Sequence, residues 1–245
     1  MSPSVRPRIS LLGGFELEPA VPSVPEGSQR LLAFLALKGR LIRRQAVAGA
    51  LWPMATDSQA SSSLRSALAR LPGDVRALVA TSARELGLSD GVSVDLWDAR
   101  AFARDLVGAP RSPLESDPRP GTIKALSAEL LPDWYDDWAV IEAEEWRQLR
   151  LYALEALAER LTAGGRYACA AAAALAAVRA EPLRESPRAA LISVHLAEGN
   201  PSEAIREYAR YADMLMVELG VEPTERLRTL VANVWGREPR LLTSR

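Results

Sequence analysis

Four breaks punctuate the second half of the 245-residue sequence, at Gly164-Gly165, Pro182, Gly199-Asn200-Pro201 and Gly220. The stretches around them place apolar residues on a helical period and predict helices over 138–161, 167–180, 186–197, 202–219 and 222–234. A chain so divided folds as consecutive antiparallel helices joined by short turns. Gly165 and Gly199, like Ala170 and Ala204, lie 34 residues apart, the period of a tetratricopeptide helix pair. Small residues at such positions let paired helices approach closely.

The first half has another grammar. Residues 8–17 (RISLLGGFEL) predict a strand that bends or turns at Gly13-Gly14, and Pro19, Pro22 and Pro25 then exclude helix. A first helix is predicted over 29–38, with Leu31, Leu32, Leu35 and Ala36 on one face and a stop at Gly39. A second, over 43–52, turns Val47, Ala50 and Leu51 inward and ends at Pro53. A third, over 58–71, is capped by Thr56 or Asp57 and carries Leu64, Ala67, Leu68 and Leu71 as its apolar stripe. Apolar runs at 77–80, 86–88 and 92–96, separated by polar 81–85 and by Ser89-Asp90-Gly91, are hairpin signals. A strand, three short helices and a hairpin make a winged helix-turn-helix, whose third helix enters a major groove. The expected fold is mainly α with a small β component. It comprises a winged helix-turn-helix at 1–98, a connection over 99–122 that includes proline-rich 108–121, and an all-helical tetratricopeptide-like domain at 123–245.

Charge distinguishes the halves further. The formal net charge is −1, yet residues 29–84 hold nine Lys and Arg against Asp57 and Asp74. Such a surplus suits an anionic partner. Lys38 and Lys124 are the only lysines, so the positive charge is mostly guanidinium, which grips phosphate or guanine with two parallel hydrogen bonds. On the outer face of the third helix, Arg65 is the foremost candidate for base contact, with Ser62 and Ser66 a turn away, then Arg70 and Ser61. Arg43 and Arg44 at the start of the second helix, and Arg84 in the wing, suit phosphate, which positions a protein without specifying sequence.

The order of parts resembles the Streptomyces antibiotic regulatory proteins, an OmpR-type winged helix followed by a bacterial transcriptional activator domain. The resemblance rests on Leu11-Leu12-Gly13, Gln29-Arg30-Leu31-Leu32, Leu51-Trp52-Pro53 and Leu64-Arg65-Ser66-Ala67-Leu68 in the first half. The second half contributes Ala143-Glu144-Glu145-Trp146-Arg147, Gly165-Arg166-Tyr167, Glu181-Pro182-Leu183-Arg184-Glu185 and, most specific, Glu218-Leu219-Gly220-Val221-Glu222-Pro223-Thr224. It implies a cytoplasmic activator of a specialised-metabolite (antibiotic) gene cluster. Its partners would be double-stranded promoter DNA bound at repeats, RNA polymerase holoenzyme reached through its sigma factor, and a second protomer on the DNA. The third helix departs from the family in its serine run, Ser61 to Ser63, which motivates an alternative: an interaction scaffold whose winged helix no longer binds DNA. No G-x-x-x-x-G-K-[ST] string occurs, so the ATPase arm of larger relatives is not expected.

Other classes lack support in the residues. No apolar run of spanning length occurs, and no membrane association is expected. A single histidine, His195, and a single cysteine, Cys169, leave metal and Cys–His chemistry short of partners, and both are expected to pack in helices. No catalytic residue, cofactor or metal is expected. Trp134, Trp138 and Trp146 lie among Asp133, Asp136, Asp137, Glu142, Glu144 and Glu145. Trp138 and Ile141 are expected to face the core and the acids to face water.

Overall fold

The computed structural model describes residues 7–19, 24–108, 112–114, 118 and 121–235. The chain divides into two compact units, Met1–Ala101 with Ala128–Gln148, and Phe102–Ser127 with Leu149–Arg245.

In the first unit, β1 (Arg8–Ser10) and β2 (Glu16–Glu18) pair antiparallel with Ile9 opposite Leu17. The turn between them runs through Gly13 and Gly14, at φ +84° and +142°, where a side chain would be strained. Helix α1 (Glu26–Lys38) begins directly after Pro25, three residues ahead of expectation. Proline bars a helix from extending N-terminally, but at a helix start its missing N–H costs nothing. Gly39, at φ +58°, ends α1 and donates to the Leu35 carbonyl at 3.0 Å.

Strand β3 (Ile42–Arg43) precedes α2 (Arg44–Leu51), and α3 (Asp57–Ala69) follows. Arg43 is thus a strand residue opposite Glu85 rather than the first residue of a helix. Thr56 and Gln59 form a capping box at the start of α3. The single turn α4 (Gly73–Arg76) leads to β4 (Val79–Thr81) and β5 (Glu85–Leu88), which pair as the wing, with β3 on the other side of β5. Residues 92–96 do not extend this hairpin. After Gly91 the chain enters β6 (Ser93–Val94), which runs parallel to β1 and sets buried Val94 beside buried Ile9. Helix α5 (Asp95–Gly108) follows, so the first ten residues of the expected connection are helical. The Asp95 carboxylate accepts the Leu11 and Leu12 N–H groups at 2.9 and 3.1 Å. Burial pushes its carboxyl above the ordinary value, against the pull of those bonds. Positions 109–111, 115–117, 119 and 120 of the connection lie outside the described residues.

After α6 (Thr122–Ser127), residues 128–136 return to the first unit, where the Leu131 N–H donates to the Leu11 carbonyl at 3.0 Å. Helix α7 (Asp137–Ala163) begins there. Asp133, Asp137, Glu144 and Glu145 are exposed as expected, but two expectations are corrected: Glu142 is 9% exposed, and Ile141, expected to face the core, is 61% exposed. Trp138, Glu142 and Trp146 are spaced by four and form one buried row, while Ile141 falls outside it. Glu142 is tolerated because Lys38 and Arg100 each donate to it at 2.8 Å. Burial alone would raise its carboxyl, but those two bonds outweigh it and hold the group below the ordinary value. Arg30 pairs with Asp136 and donates to the Leu51 carbonyl at 2.8 Å.

The second unit stacks α8 (Tyr167–Ala180), α9 (Glu185–Glu198), α10 (Pro201–Leu219) and α11 (Glu225–Trp235), with α9 packed against all three others. Gly165 and Gly199 both adopt positive φ, and Ala170 and Ala204 are both fully buried, as the repeat spacing predicts. Ile192, Tyr208, Tyr211, Leu227 and Val231 fill the core of α9 to α11. Buried Arg188 pairs with buried Glu207 and lies over the Tyr211 ring at 5.5 Å. Cys169 is exposed, which corrects its expected packing role; it lies off the Ala170–Ala173–Ala177 stripe that α8 buries.

Ala170→Leu is expected to destabilise the chain by about 1–3 kcal/mol through overpacking, whereas Ala172→Leu on the exposed side changes stability by less than about 0.5 kcal/mol. Urea denaturation distinguishes them. Glu142→Gln is expected to cost about 2–3 kcal/mol at neutral pH. Because the folded carboxyl lies below its ordinary value of 4.5, this contribution is full above 4.5 and is lost as pH falls through the folded value. Wild type and variant should therefore converge in acid.

Candidate nucleic-acid interface

Helix α3 buries Ala60, Leu64, Ala67 and Leu68 against the unit and leaves the opposite face open. Arg65, Arg70, Ser62 and Ser66 are exposed on that face; Ser61 is half-buried at its edge. Neither arginine pairs with a carboxylate among the described residues. The helix is fixed by its neighbours. The buried Ser28 hydroxyl of α1 donates to the Ala67 carbonyl at 2.8 Å, and Arg76 donates to the Leu68 carbonyl at 2.8 Å. Arg76 thereby adds a second donor to a carbonyl in the last turn of α3, which also accepts the Leu71 N–H at 3.4 Å.

Arg43 is exposed on β3, and Arg84 is exposed at the wing tip, Ser82 to Arg84. The Ser82 hydroxyl accepts the Arg84 and Glu85 N–H groups at 3.2 and 2.9 Å and shapes that tip. Arg44 is half-buried: its N–H donates to the Arg84 carbonyl at 2.9 Å and its guanidinium to Thr81 Oγ1 at 3.1 Å. Arg44 therefore ties α2 to the wing, while keeping donors for an anion. The structure brings Arg43, Arg44 and Arg84 together at the β3–β5 edge, and Arg65, Arg70, Ser62 and Ser66 onto one helix face.

The basic surplus of residues 29–84 is thus divided. Arg30 and Lys38 are taken up by Asp136 and Glu142, while Arg40, Arg43, Arg65, Arg70 and Arg84 are exposed. Among the structural contributors not singled out from the sequence are Arg76 and Thr81. For Arg76 a signal existed, a cation just beyond the Pro72-Gly73 stop; for Thr81 there was none. Among the described residues no cluster of three or more His, Cys, Asp or Glu is placed to hold a metal ion, and no helix is long and apolar enough to cross a membrane.

Residues 123–234 match the bacterial transcriptional activator domain family. No curated protein matches the sequence. Among solved structures, the chain is similar to Mycobacterium tuberculosis EmbR, determined in complex with a low affinity phosphopeptide. The TM-score is 0.66 at 22% identity, over 96% of this chain and 66% of that one. At that identity the likeness shows a shared fold, and the present chain spans 66% of the length of EmbR. The match to the bacterial transcriptional activator domain family thus covers residues 123–234, and the chain shares its fold with EmbR.

Proposed function

We propose that this chain is a transcriptional regulator, a cytoplasmic, sequence-specific DNA-binding activator acting on promoter repeats of a specialised-metabolite gene cluster. The observation that carries the DNA reading is the outer face of α3. Arg65 and Arg70 stand exposed and without a carboxylate partner, on a helix whose other face is buried. Internal ion pairing has not consumed them, as it has Arg30 and Lys38. Arg65 would read a base edge in the major groove, with Ser62 and Ser66 beside it and Arg70 and Ser61 at the margins. Arg43, Arg44 and Arg84 would hold backbone phosphates on the flank, where charge matters more than geometry.

The activator half rests on family likeness. Under it, the helical domain brings RNA polymerase holoenzyme, through its sigma factor, to a promoter on which two protomers sit. No enzymatic role, cofactor, metal or membrane association is part of this reading.

Selection of bound sequences from a random DNA pool, with wild type and Arg65→Ala in parallel, tests the proposal. Wild type should enrich a repeated motif, and the variant should lose about 1–3 kcal/mol at one base position while keeping the others. Arg43→Ala should weaken all sequences alike. Equal loss on every DNA for Arg65→Ala would remove its base-reading role, and absence of any motif for wild type would favour the scaffold alternative.

A further inference from the structure

Between the β1–β2 hairpin and the base of the wing lies an open cavity of about 300 Å³ that the nucleic-acid interface does not use. Leu17, Pro19, Val75, Leu78 and Val92 give it apolar walls, and Glu18, Asp74 and Asp90 line it as well. All three acids are exposed, and none is paired with Lys or Arg among the described residues. Small-molecule sites have this make-up, mostly apolar with a few polar groups that fix orientation, and run from about 300 to 1,000 Å³. The size admits one ring or a short chain. The charge selects further: an anionic ligand would meet three like charges, whereas a cationic end gains from each of them.

We propose that this cavity binds a small amphiphilic amine, an apolar group ending in a protonated nitrogen. The apolar part would lie against Val75 and Leu78 and the ammonium among Asp74, Asp90 and Glu18. Asp74 and Val75 belong to α4, whose Arg76 holds the Leu68 carbonyl at the end of α3. A bound amine therefore touches the element that anchors the third helix. Binding itself does not depend on the DNA reading.

Three probes of one shape and different charge test it on the full chain: 2-phenylethylamine, 2-phenylethanol and phenylacetate, followed by thermal unfolding and by ligand-observed NMR. The amine should raise the unfolding midpoint with concentration and bind about tenfold more tightly than the alcohol, with no binding of phenylacetate. Ala77→Trp, an exposed lining position, should fill the cavity and abolish binding of both. Asp74→Asn with Asp90→Asn should leave the alcohol bound and remove the preference for the amine. The proposal is overturned if the amine does not bind saturably, if phenylacetate binds as well as the amine, or if a folded Ala77→Trp retains binding. Retention of the full amine preference by the double variant would likewise overturn it.

Discussion

Glu142 receives hydrogen bonds from two cations brought from distant parts of the chain, Lys38 at the end of α1 and Arg100 on α5. A carboxylate in that position costs desolvation, and only partners of good geometry offset it. At the other end of α1, Arg30 pairs with Asp136 and also holds the Leu51 carbonyl that closes α2. These contacts fix α1 at both ends, and α1 in turn holds α3 through Ser28 and the Ala67 carbonyl. The position of the candidate recognition face within the winged helix thus depends on acids supplied from residues 128–148, which belong to the same compact unit.

The same pairing explains why net local charge is a poor guide to available charge. Residues 29–84 carry nine basic side chains, but Arg30 and Lys38 have carboxylates of their own inside the unit. Of the cations that remain exposed, Arg65 and Arg70 lie at the outer face of α3, Arg43 on β3 and Arg84 at the wing tip. Under the proposed function, separation of this kind would keep structural cations from competing with those offered to a polyanion.

Much of the fold was legible because its punctuation is local. Gly39, Gly199 and Gly220 end helices in the left-handed conformation that glycine accepts most readily, and the apolar stripe of α3 is buried as its spacing requires. The outer face of α3 was legible for the same reason, since it is the complement of that stripe. What failed was non-local. Glu142 resembles any acid on a wet helix face until Lys38 and Arg100, 104 and 42 residues away, are known to meet it. Residues 92–96 resembled a third hairpin strand because nothing nearby reveals that β6 pairs with β1. The start of α1 was misplaced because proline forbids helix before it but not after it. Within residues 123–234, Glu185 accepts the Thr224 N–H at 2.9 Å and the Tyr211 hydroxyl donates to the Leu183 carbonyl at 3.0 Å. Two of the strings that carried the family resemblance, 181–185 and 218–224, are therefore held together by contact.

The salt dependence of DNA binding tests the central claim most directly, that Arg30 and Lys38, paired with internal carboxylates, are distinct from the arginines proposed to face DNA. Each phosphate contact contributes a slope of about −0.9 to the log–log plot of affinity against salt. Arg84→Met should flatten the wild-type slope by about one such unit, and Lys38→Met should leave it unchanged while lowering stability. Equal flattening by both would contradict the account.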